Sequence, residues 1–155
     1  MRRIVILVAT FFIAIGAGAG EKPLHERAQA RQNDLRLGVY MTAGAVEGFF
    51  DAEIDPIALL REYGFTLVTL EVYRSGRVVP PEHLAKVRDY LEERGFEVVG
   101  GIATTPGGDV GVHQEGPLGW FNWQNPKTRE DMERIMRSVA PLFDVFVIDD
   151  FLCTG

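Results

Sequence analysis

Four runs of apolar, β-branched and aromatic residues alternate with three segments in which apolar residues recur every three to four positions. The runs predict strands at residues 35–41, 65–73, 96–103 and 145–152. Helices are predicted to begin at three proline-containing pairs, because proline suits the first helical turn: Asp55-Pro56, Pro80-Pro81 and Asn125-Pro126. The predicted order of elements is therefore β-α-β-α-β-α-β.

Strands that are apolar on both faces predict a parallel sheet covered by helices, which is an α/β fold. Two architectures fit: the front half of a (β/α)8 barrel, or TIM barrel, over residues 35–155, and a small four-stranded open sheet. The open sheet needs a helix over its last strand, and the sequence stops at Gly155 before one. Residues 42–50 predict a loop rather than a nucleotide-binding turn that opens a helix. The sequence favours a partial (half) barrel, and we interpret it as the N-terminal part of a larger protein.

Residues 1–34 have a different composition. Arg2 and Arg3 precede an apolar run at residues 4–15 and a stretch of small residues up to Gly20, which is the pattern of a signal peptide at residues 1–19. The alternative is a retained membrane anchor, but spanning needs an apolar run of about 20 residues. We therefore expect export to the periplasm or the extracellular space, with no stable membrane anchor after cleavage. A flexible leader, in part helical, is predicted at residues 20–34, with structure beginning at Leu35.

Charge and side-chain inventory exclude several classes of function. The formal net charge is -6 and no basic stripe exists, which argues against a nucleic-acid partner. Cys153 is the only cysteine, so an internal disulfide is excluded. The three histidines lack metal-ligand spacing, and the serines lie in no nucleophile elbow. We predict no metal and no cofactor.

Acidic residues at predicted strand ends are the first candidates for chemistry. Asp149 and Asp150 leave the fourth strand on opposite faces, and an apolar strand that carries two acids at its exit favours a functional role for at least one. The alternative is that one caps the next loop and the other pairs with an arginine. Glu71 and Arg74 lie at the end of the second strand. Glu71 is predicted to be an acid/base or a sugar-hydroxyl acceptor, or else half of a local pair with Arg74.

Aromatic residues mark a predicted ligand contact. The connection at residues 104–124 is long, and it carries Trp120 and Trp123, whose indole faces suit a sugar ring. The alternative is that this loop folds its aromatics against the rim of the sheet. Tyr40, Tyr73 and Arg74 at strand ends complete the predicted substrate-binding set. The expected partner is a carbohydrate.

Four strand sequences carry a resemblance to a known group of proteins. They are Val39-Tyr40-Met41, Leu70-Glu71-Val72-Tyr73-Arg74, Val99-Gly100-Gly101-Ile102 and Phe146-Val147-Ile148-Asp149-Asp150-Phe151. Together they resemble the N-terminal half of secreted, glycoside-hydrolase-like βα-barrel proteins. The resemblance implies a retaining or inverting sugar hydrolase in which the fourth-strand acid, Asp149 or Asp150, is the nucleophile. It also implies that the acid/base partner comes from a later strand, so the polypeptide as given is expected to be catalytically incomplete.

Two further interpretations stay open at this point. One is a metal-dependent hydrolase similar to polysaccharide deacetylases, whose His-x-x-x-His partner is missing here. The other is a non-catalytic, carbohydrate- or partner-binding half barrel. A bare half barrel exposes strand edges and an apolar face, so self-association into a homo-oligomer is expected.

Overall fold

One sheet of five strands organises the protein. The computed structural model describes residues 22–116 and 119–149. The strands are β1 (Gly38–Met41), β2 (Leu67–Arg74), β3 (Arg77–Val78), β4 (Glu97–Ala103) and β5 (Phe146–Asp149). The strands β1, β2, β4 and β5 lie side by side in chain order and all pair in parallel, while β3 folds back antiparallel on β2. The predicted parallel α/β arrangement is confirmed.

In the described part of the chain, five α-helices connect and flank these strands: α1 (Leu24–Ala30), α2 (Ala43–Glu47), α3 (Pro56–Glu62), α4 (Pro81–Glu92) and α5 (Pro126–Val139). The predicted starts of α3, α4 and α5 are confirmed. The Asp55 carboxylate accepts from the backbone N–H of Ile57 at 2.9 Å, and the Asn125 amide oxygen accepts from that of Lys127 at 3.0 Å. Each cap satisfies a donor that the first helical turn leaves without a partner.

Side-chain alternation gives the sheet two different faces. The face toward α4 is apolar and belongs to a buried core that includes Val68, Leu70, Val72, Leu84, Val87, Leu91 and Ile102. The opposite face carries Tyr40, Thr69, Glu71 and Gly101, which neighbour one another across three strands. Parallel strands that follow chain order are the arrangement found in a section of barrel wall. The fold is consistent with a partial barrel, and the closed eight-stranded barrel remains a prediction.

Regular structure begins before the predicted start at Leu35. Helix α1 lies within the segment predicted as a leader, and its His25 is buried, with Nδ1 2.9 Å from the carbonyl oxygen of Phe65. The ring of His25 also lies 5.1 Å from that of Phe96. The Gln29 side chain of α1 also donates to the carbonyl oxygen of Gly95, at 3.1 Å, so the helical part of the predicted leader is packed against the rest of the fold. The predicted signal peptide lies outside the described residues.

The segment after β1 also differs from the prediction of a loop. Helix α2 begins directly after the strand, and the Thr42 hydroxyl caps it by accepting from the backbone N–H of Ala45 at 3.4 Å. Five helical residues are too few to display an apolar period, so the sequence pattern could not reveal them. Among the residues that the structure describes, no helix is long and apolar enough to cross a membrane.

Candidate active site at the strand ends

Four of the predicted site residues meet at the carboxyl ends of the parallel strands. Tyr40 comes from β1, Glu71 and Arg74 come from β2, and Asp149 ends β5. The register places Glu71 beside Gly101 and places Asp149 beside Ala103, which is two residues further along β4. Because side chains two residues apart share a face, Glu71 and Asp149 lie on the same face of the sheet. We refer to Tyr40, Glu71, Arg74 and Asp149 as the strand-end cluster.

Glu71 is the centre of this cluster. Its side chain has no exposed surface, and its two carboxylate oxygens accept three hydrogen bonds. Oε1 accepts from the Tyr40 hydroxyl at 2.9 Å and from Arg74 Nε at 2.8 Å. Oε2 accepts from the backbone N–H of Ala43 at 2.6 Å. A buried carboxylate with this many donors is held in one position.

The third donor comes from the helix that sequence analysis did not predict. Ala43 is the first residue of α2, and its N–H is one of those that a helix leaves without an internal partner. Glu71 satisfies it and so joins the start of α2 to the end of β2. The local pair between Glu71 and Arg74, one of the two predictions for Glu71, is present in the structure.

Gly101 makes room for the Tyr40 ring. A Cβ atom at Gly101 would lie 2.9 Å from Tyr40 Cε2, 3.0 Å from Tyr40 Oη and 2.7 Å from Thr69 Cγ2. Contacts this short are essentially never tolerated unless a neighbouring atom moves. The bare backbone of β4 therefore lets Tyr40 lie across the sheet and reach Glu71.

Arg74 joins the buried carboxylate to the exposed one. Its Nε donates to Glu71, and its Nη2 lies 3.7 Å from Asp149 Oδ2. Burial by itself lowers the pKa of Arg74, but the charge of Glu71 and the hydrogen bond to it outweigh that effect and raise the pKa. Arg74 is 38% exposed and Asp149 is 51% exposed, so a ligand can reach both. The pairing of one aspartate with an arginine, predicted as the alternative to a functional role, is also what the structure shows.

The end of β5 is fixed by β4. The backbone N–H and the hydroxyl of Thr104 both donate to the carbonyl oxygen of Asp149, at 3.1 and 2.9 Å. The backbone that carries the Asp149 carboxylate is therefore tied to the neighbouring strand. Asp150 lies outside the described residues.

Unfolding measurements at alkaline pH test the burial of the Tyr40 hydroxyl. Burial, the charge of Glu71 and the hydrogen bond to it raise the pKa of Tyr40 above its ordinary value of 10.0. The folded protein therefore keeps this proton at pH values where the unfolded chain releases it. The corresponding stability is complete below pH 10 and is lost as the pH rises toward the folded pKa. We expect the free energy of unfolding in urea to fall between about pH 10 and pH 12, and to fall less steeply in Tyr40→Phe.

The matched control for that titration is Tyr63→Phe. It removes an exposed hydroxyl and leaves the contact between Tyr40 and Glu71 in place. Equal pH dependence in the wild type and Tyr40→Phe would contradict the buried hydrogen bond.

Tyr73 has a different environment from the one predicted for a substrate contact. It is fully buried, and its hydroxyl donates to the carbonyl oxygen of Thr105 at 2.7 Å and accepts from the N–H of Gly76 at 3.1 Å. Its ring stacks on Phe121 at 6.1 Å. Burial raises the pKa of Tyr73, in part opposed by the hydrogen bond from Gly76. In this structure Tyr73 holds the end of β2 against the segment that follows β4, and its side chain is not accessible to a ligand.

The two tryptophans lie in the long loop after β4. Trp123 packs edge-on against Phe121, with ring centroids 5.5 Å apart, and is partly buried against the core. Trp120 is also partly buried, and its carbonyl oxygen accepts from the N–H of Gln114 at 2.9 Å. For Trp123, the predicted alternative of a loop that folds its aromatics against the rim describes the observed packing.

This loop is held down by α5. Asp131 accepts from the backbone N–H of Gly111 at 2.9 Å, and the buried Thr128 hydroxyl accepts from that of Val112 at 3.0 Å. Hydrogen bonds from Lys127, Gly111 and Arg134 hold the pKa of Asp131 well below its ordinary value. Helix α5 therefore fixes this loop at Gly111 and Val112.

The strand-end cluster lies at the carboxyl edge of a parallel α/β sheet, which is the edge where the chemistry of barrel-type enzymes collects. Within residues 22–116 and 119–149, no group of three or more His, Cys, Asp or Glu side chains is arranged to hold a metal ion.

Comparison with known proteins identifies the family. The family model described as "Probable glycosyl hydrolase, catalytic domain" matches residues 22–155. The chain belongs to this family of probable glycosyl hydrolase catalytic domains. An uncharacterized protein of Saccharolobus solfataricus is 30% identical over 129 residues, which cover 76% of the chain and 20% of that protein. The chain thus spans about a fifth of the length of this relative. No solved structure matches the chain.

Proposed function

We propose that this chain acts on glycosides and that Asp149 is the carboxylate that contacts the sugar. The observation that carries the proposal is the contact of Arg74 with both carboxylates, the buried one of Glu71 and the half-exposed one of Asp149. Family membership supports the reaction class. The position at the carboxyl ends of parallel strands supports the location.

The two carboxylates have different roles in this proposal. Glycoside cleavage uses a pair of carboxyl groups that flank the scissile bond. Glu71 is fully buried and already accepts three hydrogen bonds, so it presents no oxygen to a glycosidic bond. We therefore give Glu71 a positioning role in place of the catalytic role predicted from the sequence. Asp149 keeps its predicted catalytic role.

Arg74 and Tyr40 set the geometry of the Asp149 side chain. Nε of Arg74 is fixed by Glu71, and Glu71 is fixed in turn by Tyr40 and Ala43. The terminal nitrogens of Arg74 are thereby aimed at the end of β5, where they attract the Asp149 carboxylate. A carboxylate oriented in this way accepts hydrogen bonds from sugar hydroxyls. In a retaining reaction the same group attacks the anomeric carbon while the glycosidic bond breaks and the leaving oxygen takes a proton from the second carboxyl group; water then hydrolyses the glycosyl-enzyme intermediate.

The second carboxyl group of the reacting pair lies outside the strand-end cluster in this proposal. The later strands of a complete barrel are its proposed source. The first measurement is therefore the binding of sugars by the 155-residue chain, followed by hydrolysis.

Asp149→Asn tests the proposal. We expect the wild-type chain to bind at least one oligosaccharide from a panel of neutral and acidic glycans in isothermal titration calorimetry. Hydrogen bonds to a charged group contribute about 1.5–3 kcal/mol, so Asp149→Asn is expected to weaken binding about 10- to 150-fold and to abolish any turnover of aryl glycosides.

Asp144→Asn is the matched control. Asp144 is an exposed aspartate that precedes β5 at the opposite edge of the sheet, and the same substitution there is expected to leave binding unchanged. The proposal would be contradicted if the chain neither bound nor cleaved any glycoside. Equal affinities of Asp149→Asn and the wild type would contradict it as well.

A further inference from the structure

The turn that follows Arg74 has an unusual backbone. Ser75 and Gly76 connect β2 to β3 with φ values of 48° and 87°, and positive φ at both central residues is the signature of a type I′ hairpin turn. Glycine accepts such a conformation without strain, but serine carries a Cβ atom that makes it costly. Among the residues that the structure describes, Ser75 is the only non-glycine with positive φ.

The hydroxyl of this strained residue meets another hydroxyl. Ser75 Oγ lies 3.0 Å from Thr105 Oγ1, and either atom can be the donor. Ser75 is exposed, and Thr105 is partly exposed. Ser75 directly follows Arg74, and Thr105 directly follows Thr104, which holds the end of β5 at Asp149. The pair therefore stands at the same edge of the sheet as the strand-end cluster.

Rigid backbone holds both hydroxyls in place. The hydroxyl of the buried Tyr73 bonds to the carbonyl oxygen of Thr105 and to the N–H of Gly76. The backbones of the two loops also touch, since a Cβ atom at Gly76 would lie 2.5 Å from the carbonyl carbon and oxygen of Gly107. Groups that are ordered before a ligand arrives lose little entropy when it binds.

We propose that Ser75 and Thr105 form a hydroxyl-binding subsite for a sugar unit next to the one that Asp149 contacts. Each hydroxyl both donates and accepts, so the pair can exchange its mutual hydrogen bond for hydrogen bonds to two sugar hydroxyls. This inference rests on the proposed function. It adds two binding residues and extends the site along the ends of β2 and β4.

The charge of the site favours an uncharged sugar. Glu71 and Asp149 outnumber the single guanidinium of Arg74, and the chain as a whole has a net charge of -6. An anionic ring, such as a uronic acid or a sulfated sugar, would be repelled by this field. The hydroxyl pair adds recognition without adding charge, so the proposed ligand is a neutral glycan.

Two substitutions remove the hydroxyls without straining the fold. Ser75→Gly suits the positive φ, so its melting temperature is expected to equal or exceed that of the wild type. Thr105→Val keeps the shape of threonine. Each is expected to weaken the binding of the neutral oligosaccharide about three- to tenfold, the effect of one uncharged hydrogen bond. Thr105→Ser keeps the hydroxyl and is expected to bind as the wild type does.

The matched control is Ser138→Ala on α5. The Ser138 hydroxyl is bonded to the carbonyl oxygen of Ile135 in its own helix, and its loss is expected to leave affinity unchanged. Wild-type affinity in both Ser75→Gly and Thr105→Val, alongside weakened binding by Asp149→Asn, would overturn the subsite and leave the proposed function standing. Tighter binding of a uronic-acid oligosaccharide than of a neutral one of equal length would overturn the proposal that the ligand is a neutral glycan. A chain that binds no glycan would overturn both proposals.

Discussion

Replacing Glu71 with glutamine is expected to lower the free energy of unfolding by about 2–4 kcal/mol. Glutamine keeps the size of the side chain but replaces one oxygen with an NH2 group. That group then faces the N–H of Ala43 or the Nε–H of Arg74, so two donors meet wherever it points. The negative charge that forms the ion pair with Arg74 is lost as well. The loss is smaller than for a fully buried pair because Arg74 is partly solvated.

Glu97→Gln is the matched control for that experiment. Glu97 also pairs with an arginine, at 2.6 Å from Arg36 Nη1, but it lies at the opposite edge of the sheet and its side chain is 40% exposed. Exposed pairs of this kind contribute at most about 1 kcal/mol. Urea unfolding of both variants measures the difference. A cost for Glu71→Gln no larger than for Glu97→Gln would contradict the central position of Glu71.

Gly76→Ala is expected to cost about 2–4 kcal/mol of unfolding free energy. Its Cβ atom would meet the backbone of Gly107 at 2.5 Å, and backbone cannot move aside as the end of a flexible side chain can. The positive φ of 87° adds strain. Moving Gly76 would also weaken the hydrogen bond from its N–H to Tyr73. Urea unfolding and the melting temperature report the loss.

Gly108→Ala is the matched control, because it separates the cost of backbone strain from the cost of a steric clash. Gly108 also has a positive φ, of 54°, but the nearest atom to its Cβ position is the Cα of Gly76, at 3.8 Å. The expected cost is about 1 kcal/mol, from the conformation alone. Equal costs at the two glycines would show that the close approach of the two loops does not stabilise the rim.

Much of the fold could be predicted because its signals are local. Proline after an aspartate or an asparagine marks the start of a helix by fixing φ and providing a cap, and α3 and α5 begin at the predicted residues. Gly64 and Gly95 end helices and adopt the positive φ expected of such positions. Apolar runs of strand length predicted the parallel strands.

The features that sequence analysis missed depend on contacts between distant residues. Helix α2 is too short to show an apolar period in the sequence. Its first N–H nevertheless supplies one of the three donors to Glu71. Nothing in the sequence near Gly101 indicates that it leaves space for Tyr40, which lies 61 positions earlier in the chain. The hydroxyl pair of Ser75 and Thr105 is formed only when β2 and β4 lie side by side.

The positions of the candidate site residues could be predicted where the strand pattern located them, and their roles stay predictions. Tyr40, Glu71, Arg74 and Asp149 all occupy strand ends, and parallel pairing brings such ends to one edge. The aromatic residues were harder to assign, because a side chain that suits a sugar also suits a core. Tyr73 illustrates this, since it is fully buried beneath the rim.

The location of a bound sugar tests the central claim most directly. With the backbone and arginine side-chain NMR signals of the chain assigned, a neutral oligosaccharide that binds is added stepwise. We predict that the signals of Arg74 Nε–H and of the amides of Thr105 and Asp149 shift with a single dissociation constant, while the amide of Asp144 stays unchanged. Saturating binding that leaves these signals unmoved and shifts others would contradict a glycoside site at the strand ends.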